Sequence, residues 1–391
     1  MTERLYHQAA AAFEAARRVA VLPPGHRARR LHGHGFKARV LAELPPAWGG
    51  FDGAETEALA AALGDSVEAL DYTDLNERLA VPTDEHLAAW VQRQLERRHA
   101  LPGIVQIGIQ STAEQGVELR LDADRAGTKI RCAHVWRRFR FEAAHRLVNV
   151  APDHQCGRMH GHGFEVILHA EQALAPESGA LHSAVAHLGI DYDQLAALWA
   201  PLHAELDHGC LNDLPGLENP TSELLAAWIW QRLKPRLPAL SLVSVYETAT
   251  AGCQYDGQDY RIWKEMRFEA ALRLAQAPAG DPRRRLHGHS YLLRLHLSAP
   301  LDAVLGWTID YGDVKALFKP VYARLDHHEL NALTGLSDPS SARLAGWLRE
   351  AIADVLPQAD RLELCERPGC GVLLCWGTNR GANRAAAALP L

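Results

Sequence analysis

Three histidines in the middle of this 391-residue chain have the residue type and spacing of a metal site. His160 and His162 are separated by a single glycine, and His145 precedes them. Catalytic zinc is commonly held by three protein ligands, which leaves the fourth position for water or substrate. We therefore predict a Zn2+ site on His145, His160 and His162. A lone strand histidine is more often a packed or solvent-facing residue, so this prediction depends on the three together.

Further polar residues could carry proton chemistry beside such an ion. Cys156 lies shortly before His160, where a nearby cation would lower its pKa and make a thiolate available as base or nucleophile. Asp207 and His208 are adjacent and could form a proton relay. Glu247 could accept two N–H donors from the guanidine-like edge of a heterocycle. Each has an alternative without a chemical role: Cys156 as a buried structural thiol, the adjacent Asp and His as an ordinary helix end, and Glu247 as a solvated carboxylate.

Two predicted strands position the histidines. Apolar and polar residues alternate up to Phe141, and the run His160–Glu171 alternates again. Side chains two apart on a strand share a face, so His160 and His162 point the same way. A hairpin between the two strands would bring His145 alongside them. The loop that joins the two strands contains Cys156 and would hold its thiol near the metal.

Two helices and another strand are predicted next. Leucines recur at helical spacing from Leu195 to Leu206. A second helix begins after Thr221, which suits an N-cap, with Glu223 in the first turn where a carboxylate favours the helix dipole. The run Leu240–Tyr246 predicts a strand that leads into Glu247. The sequence therefore predicts an α+β unit of two antiparallel hairpins and two helices.

The tripeptide His-Gly-His is repeated, and the repeat indicates the domain organisation. It begins at positions 32, 160 and 287, so successive copies start 128 (160 − 32) and 127 (287 − 160) residues apart. That interval is the size of a domain rather than of a solenoid repeat. We place three tandem units of similar fold at residues 1–130, 131–262 and 263–391.

Composition and charge exclude several classes of protein. A net charge of −6 argues against a general nucleic-acid surface. The seven cysteines are odd in number and contain no CxxC pair, which favours free thiols and a reducing cytoplasm over a disulfide framework. The sequence has no export signature and no apolar run of about 18 residues, so we expect neither a signal peptide nor a membrane span.

The middle unit resembles the 6-pyruvoyltetrahydropterin synthase family, most closely its bacterial 6-carboxytetrahydropterin synthases of queuosine biosynthesis. The resemblance covers residues 137–260 and rests on six motifs in order: Phe141–Leu147, Cys156–His162, Leu206–His208, Leu211–Asn212, Pro220–Glu223 and Tyr246–Thr248. Together these motifs are highly specific, whereas His-Gly-His alone would be weak.

This resemblance implies a fold, a cofactor and a reaction. The fold is a T-fold, with zinc on the three histidines, Cys156 as the thiol that moves protons, Asp207 and His208 as its relay and Glu247 as the pterin anchor. The reaction converts 7,8-dihydroneopterin triphosphate to 6-carboxytetrahydropterin, acetaldehyde and triphosphate. Family members form trimers that stack in pairs, so three units in one chain imply a pseudo-trimeric barrel and two chains imply a homodimer of such barrels.

The third unit departs from the pattern at the metal and at the thiol. Leu272 stands in place of the first histidine and Arg283 in place of the cysteine, whereas Asp326, His327 and Glu366 are retained. Because family sites lie between subunits, the relay for the thiol of the middle unit is either its own Asp-His pair or that of the third unit.

The first unit departs further, and only one complete site is expected in the chain. Arg17 replaces the first histidine, Ala28 the cysteine, Tyr72 the relay histidine and Gln110 the anchoring glutamate, while His32 and His34 remain. About one zinc per chain is therefore expected.

Two other functions remain open at this point. One keeps the fold and metal but makes a different pterin product. The other is a non-catalytic scaffold that binds a pterin or purine, against which the intact Cys156 argues. A purely structural role for the histidines, with no metal, is a further alternative.

Overall fold

The computed structural model describes residues 3–124, 127–173 and 190–377 of the chain, and its architecture is α+β as predicted. The first unit contains β1 (Arg4–Arg17), β2 (His32–Ala42), α1 (Glu55–Val67), β3 (Thr73–Asp74), α2 (Asp84–His99), β4 (Ile104–Thr112) and β5 (Gln115–Asp124). The second contains β6 (Gly127–His145), β7 (His160–Ala173), α3 (Tyr192–Leu206), β8 (Gly209–Cys210), α4 (Ser222–Leu233), β9 (Leu240–Thr248) and β10 (Ala251–Tyr255). The third contains β11 (Tyr260–Leu272), β12 (His287–Ser298), α5 (Tyr311–Leu325), β13 (His328–Glu329), α6 (Ser341–Ile352), β14 (Ala359–Arg367) and β15 (Cys370–Cys375).

The long strands close into a barrel. Within the described residues the order runs β10-β9-β7-β6-β5-β4-β2-β1-β15-β14-β12-β11, and β10 pairs with β11 to complete the ring. Neighbouring units join through antiparallel pairs of β5 with β6, β10 with β11, and β15 with β1. The three units therefore form the predicted pseudo-trimeric T-fold barrel of twelve strands.

Helices cover the outside of the barrel, and the core lies between the two layers. On α3 the residues Leu195, Trp199, Leu202 and Leu206 are buried against the sheet, which confirms the predicted helical face. A stacked aromatic pair recurs beneath the histidine position of every unit, with ring centroids 4.9–5.1 Å apart: Phe13 with Phe36, Phe141 with Phe164, and Phe268 with Tyr291. Offset stacking of this kind adds to the burial of the rings and fixes the hairpins that carry the histidines.

Two local details bear on the site. Thr221 caps α4 by accepting from Leu224 N, as predicted, and its hydroxyl also donates to the carbonyl of Gly306 in the third unit. Gly252 lies where a Cβ would come 2.2 Å from the Val245 carbonyl oxygen and 2.4 Å from the Trp263 ring, so only glycine allows β9, β10 and β11 to approach this closely.

No helix among the described residues has the length and apolar character needed to cross a membrane.

Candidate metal centre

The register of β6 against β7 brings the three predicted ligands together. His145 lies opposite His160, and Ala143 lies opposite His162. The ring centroids are 4.5 Å apart for His145 and His160, 5.2 Å for His145 and His162, and 5.0 Å for His160 and His162. All three ligand atoms fall within 4.8 Å of one another. Among the residues that the structure describes, this is the one group of three clustered metal-ligating side chains.

Backbone carbonyls orient two of the rings. The Nδ1 of His145 lies 3.0 Å from the Pro220 carbonyl oxygen, and the Nδ1 of His160 lies 2.7 Å from that of Arg158. An imidazole that donates from Nδ1 keeps a lone pair on Nε2 for a metal. The Nε2 atoms of His145 and His162 are buried and have no hydrogen-bond partner. An ion among these atoms would satisfy both nitrogens, so the residues fit a bound metal.

The protonation state of the histidines also fits a metal. The pKa of His145 is lowered to about 4, mainly by burial; the carbonyl of Pro220 opposes the shift, and the other two imidazoles add to it. Burial, followed by the charge of His160, lowers the pKa of His162. Both rings are therefore neutral near pH 7, and neutral imidazole is the form that binds metals. Three nitrogen ligands suit zinc and several other transition ions.

Glu247 is aimed into this centre by a β-bulge. Its neighbours Tyr246 and Thr248 pair with Gly252 and Ala251, so Glu247 has no partner in the ladder. Bulges re-aim side chains and occur often beside active sites. The Oε1 of Glu247 lies 3.7 Å from the Nε2 of His162. The pKa of Glu247 is raised to about 7, mainly by burial and then by the nearby charges of Glu223 and Asp310, with Lys264 opposing the shift.

Cys156 lies in a 3-10 turn, Gln155–Gly157, between the two ligand strands. Its carbonyl accepts from Leu147 N at 2.8 Å, which fixes the loop against the end of β6. Burial raises the pKa of the thiol, and the negative charges of Glu247 and Asp310 raise it further. The protein's own groups therefore oppose a thiolate, so the predicted thiolate depends on positive charge from a bound cation.

The third unit completes the wall of this centre. Thr308 donates its backbone N–H to Glu223 Oε1 at 2.8 Å, and the hydroxyls of Ser222 and Tyr311 are 2.7 Å apart. His154 lies 3.5 Å from the carboxylate of Asp310. The site is thus formed at an interface between units. Asp310 and Tyr311 were missed in the sequence, although the tripeptide Ile-Asp-Tyr recurs at residues 190–192 and 309–311.

The two Asp-His pairs are built identically and lie apart from the thiol. Asp207 accepts from Glu142 N at 2.9 Å and lies 2.9 Å from His208 Nδ1; Asp326 has the same contacts with Glu269 N and His327 at 3.0 Å each. The histidine side chains are 79% and 77% exposed and have positive φ values of 58° and 59°. Within the described residues no hydrogen bond joins either pair to Cys156, so the structure does not bring the predicted relay to the thiol.

The first and third units differ from the middle unit as the sequence predicts, except at one position of the first unit. In the third unit the Arg283 guanidinium stacks 4.5 Å over Phe51, and Glu366 accepts from Ser341 at 2.7 Å. In the first unit the bulged position is Ser111, because Gln110 pairs with Gly116 as Tyr246 pairs with Gly252. The prediction that Gln110 replaces the glutamate was therefore wrong by one residue.

All seven cysteines are free thiols, as the sequence predicts. Five of them, Cys132, Cys253, Cys365, Cys370 and Cys375, are buried. This is the usual environment of a structural cysteine. Cys156 and Cys210 are half-buried, and Cys156 lies in the turn between the two strands that carry the candidate ligands.

Comparison with known proteins agrees with this geometry. The family model described as 6-pyruvoyl tetrahydropterin synthase matches three stretches of the chain, residues 7–121, 134–258 and 261–374. The chain belongs to the 6-pyruvoyl tetrahydropterin synthase family. Each matched stretch contains one His-Gly-His tripeptide, so the three units are three copies of the family domain.

Individual relatives match one copy at a time. The 6-carboxy-5,6,7,8-tetrahydropterin synthase of Synechocystis sp. is 38% identical over 125 residues, which are 31% of this chain and 91% of the relative. The dihydroneopterin monophosphate aldolase of Pyrococcus furiosus is 29% identical over 112 residues, which are 28% of this chain and 95% of the relative. The structure of the Caenorhabditis elegans 6-pyruvoyl tetrahydropterin synthase aligns with a TM-score of 0.28 at 22% identity, over 33% of this chain and 100% of that one. A uricase from a Bacillus species aligns with a TM-score of 0.31 at 9% identity, over 74% and 91% of the two chains.

Proposed function

We propose that this family member is a cytoplasmic, zinc-dependent 6-carboxy-5,6,7,8-tetrahydropterin synthase of queuosine biosynthesis. It would convert 7,8-dihydroneopterin triphosphate and water to 6-carboxytetrahydropterin, acetaldehyde and triphosphate. The main support is that only the middle unit, within the described residues, combines a triad of clustered imidazoles with Cys156 and Glu247. The 38% identity to the Synechocystis enzyme supports the choice of product.

Glu247 is suited to hold the pterin. Its side chain is only 15% exposed and its pKa is near 7, so the free site holds a mixture of acid and carboxylate. Two N–H donors from the aminopyrimidinone edge would favour the carboxylate and form charge-assisted hydrogen bonds with it. Binding the heterocycle therefore ionises this group and places the substrate side chain toward the histidines.

His145, His160 and His162 would hold the ion, which supplies Lewis acidity toward the oxygens of the substrate side chain. Cys156 then takes a proton from the side-chain carbon and returns it later. Its raised pKa keeps the thiol protonated in the free protein. A base that forms only when positive charge is bound beside it does not react before the site is loaded.

The exposed Asp-His pairs are best explained by a second copy of the chain. His208 and His327 share their rim of the barrel with exposed apolar side chains at three equivalent positions, Leu31, Met159 and Leu286, which are 56%, 53% and 57% exposed. A ring of such residues favours burial against another surface. We therefore include in the proposal a homodimer of barrels in which these pairs reach the Cys156 thiol of the facing chain.

Product and metal analysis test the proposed function. Purified protein is assayed for bound metal and incubated with dihydroneopterin triphosphate, and the products are identified by mass spectrometry. We expect about one zinc per chain, release of triphosphate and 6-carboxytetrahydropterin, and loss of turnover in Cys156→Ala but not in the control Cys210→Ala. A different pterin product would contradict the assignment of 6-carboxytetrahydropterin as the product. Pterin binding without turnover in the zinc-loaded protein would favour the scaffold instead.

A further inference from the structure

The first unit keeps an open cavity where the second unit has its metal centre. The cavity has a volume of about 550 Å3 and lies between the first unit and the second, which contributes Val135 and residues 190–193. His32 and His34 line it with ring centroids 5.0 Å apart in an edge-to-face arrangement, the same geometry as His160 and His162. The histidine pair is therefore preserved in a site that lacks the third ligand.

A guanidinium occupies the place of that third ligand. Arg17 Nη1 donates to the Pro82 carbonyl at 3.0 Å, just as the Nδ1 of His145 contacts Pro220 at 3.0 Å. The same nitrogen lies 2.6 Å from Asp84 Oδ1, and the two side chains are only 7% and 2% exposed. A fixed guanidinium carries a permanent positive charge, which repels a metal ion. Any ligand of this cavity must bind without a metal.

Behind Arg17, the first unit keeps a hydrogen bond between helix and strand that the third unit also has, but with different residue types. In the third unit a helix hydroxyl, Ser341, donates to a bulged strand carboxylate, Glu366, at 2.7 Å. In the first unit the bulged strand residue Ser111 donates to the helix carboxylate of Asp84, also at 2.7 Å. The carboxylate and the hydroxyl have exchanged places across the same hydrogen bond. Tyr192 of the second unit donates to the same carboxylate at 2.6 Å and closes the wall.

The size of the residue at the cysteine position explains why this cavity is open. Ala28 stands there, and its carbonyl accepts from Val19 N at 2.8 Å, as Cys156 accepts from Leu147. In the third unit the position holds Arg283, which stacks on Phe51. The corresponding cavity there measures only about 90 Å3. The first unit thus has room for a small organic molecule, and the third does not.

Charge and apolar surface indicate the kind of ligand. Four carboxyl groups line the cavity, and each already has a partner. Asp84 is bound as described above, and Asp193 lies 2.6 Å from Arg27 and 3.4 Å from Arg137. Asp191 accepts from Gln194 N at 2.7 Å, and Glu85 is hydrogen-bonded to Thr83, with burial raising the pKa of its carboxyl. The Arg30 guanidinium, by contrast, has no partner among the described residues. The remaining walls are apolar and comprise Val19, Leu22, Leu31, Val135 and Ile190. An unpaired cation beside an apolar wall matches an anionic group on an apolar body.

We propose that the first unit holds a metal-independent binding site for a small organic anion with an apolar body, whose acidic group pairs with Arg30. The site is separate from the proposed catalytic centre and does not depend on the reaction assigned to it. It would also explain why the cavity stayed open after the metal and the thiol had been lost.

The probe for this site is 8-anilinonaphthalene-1-sulfonate, an aromatic sulfonate whose fluorescence rises on transfer to an apolar site. The full chain, treated with chelator to remove metal, is titrated with the probe and compared with two charge variants. We expect saturable binding that Arg30→Gln weakens about tenfold, since a charge-assisted hydrogen bond contributes about this factor. Arg285→Gln, the matched position in the third unit, should leave the affinity unchanged.

A variant that fills the cavity distinguishes binding in the cavity from binding elsewhere on the barrel. Ala28→Phe should abolish the saturable phase while the melting temperature and zinc content stay at wild-type values. The proposal is overturned if Ala28→Phe, still folded by that criterion, binds the probe as the wild type does. It is equally overturned if the two arginine variants lose affinity alike, or if metal-free protein shows no saturable binding. None of these outcomes depends on turnover, so they are independent of the proposed function.

Discussion

The Nε2 of His162 lies 3.7 Å from the Oε1 of Glu247, so a candidate metal ligand and a buried carboxyl group share one corner of the site. This contact joins the two halves of the proposed chemistry, because in the proposal the histidine would bind the ion and the bulged glutamate would bind the heterocycle. Because Glu247 is not one of the three clustered metal-ligating side chains, removing its carboxyl should affect substrate binding more than metal binding.

Glu247→Gln should weaken pterin binding without releasing the metal. The amide keeps the shape of the side chain but cannot accept two charge-assisted hydrogen bonds, which contribute roughly 1.5–3 kcal/mol each. We expect kcat/KM to fall at least about 100-fold at unchanged zinc content, from two such bonds at the lower limit. Glu366→Gln, the equivalent change in the third unit, serves as the control. Equal losses in the two variants would contradict the assignment of the anchor to Glu247.

His160→Ala should remove the metal and the activity together. Two remaining imidazoles cannot hold a catalytic ion that needs three protein ligands. The loss of Lewis-acid stabilisation amounts to several kcal/mol, or roughly 10^3-fold in kcat. The measurement is metal content by mass spectrometry alongside turnover. His32→Ala and His287→Ala are matched controls that should keep about one zinc per chain; a loss of metal in either would show that the flanking copies supply ligands.

Metal retention should extend to unusually low pH. Burial holds the pKa of His145 near 4, well below the ordinary imidazole value of 6.5. Protons therefore compete for this nitrogen only as the pH approaches 4, and bound metal should persist at pH 6. For the metal-free protein, the unfolded chain takes up this proton first, so stability is lost as pH falls below about 6.5. A chromophoric chelator measures release across a pH series. A release midpoint at pH 6.5 or above would contradict this prediction.

Mixed oligomers should locate the relay. An inactive Cys156→Ala chain is dissociated and reassociated with an inactive double variant, His208→Ala with His327→Ala. If the pairs act on the facing chain, each hybrid dimer regains one working site and the mixture recovers about a quarter of wild-type turnover. If Asp207 and His208 or Asp326 and His327 serve their own chain, the mixture stays inactive. The single variants His208→Ala and His327→Ala then show which pair matters.

The sequence predicts the ligand strands well because strand periodicity and burial act in the same direction. His160 and His162 must share a face, and the stacked Phe141 and Phe164 below them fix the register that brings His145 into place. The cap at Thr221 followed from local chemistry in the same way. These features depend on residues close in the chain, which is where sequence patterns are most reliable.

Two features of the site could not be read from local patterns. Asp310 reaches the centre from another unit, and only the closure of the barrel places it beside His154. The bulge at Ser111 shifts the strand by one residue, so counting along the chain pointed to Gln110. Long-range pairing and bulges are set by tertiary structure, and a repeat can reveal them only after the copies have been aligned in space.

Arg17 occupies in the first unit the position that His145 has in the second, and this replacement leads to a prediction about stability. Arg17→Met leaves the carboxylate of Asp84 almost fully buried with no cation beside it. Breaking a buried ion pair from one side costs about 3–5 kcal/mol, whereas replacing both partners by neutral groups costs far less. Arg17→Met should therefore lower the melting temperature clearly, and adding Asp84→Asn should restore most of the loss. Calorimetry of the single and double variants measures the effect, with the exposed pair Arg98 and Asp65, neutralised in the same way, as control. If the double variant is no more stable than Arg17→Met, then the guanidinium supports the first unit through its stacking on Phe36, 5.0 Å away, and not through its charge.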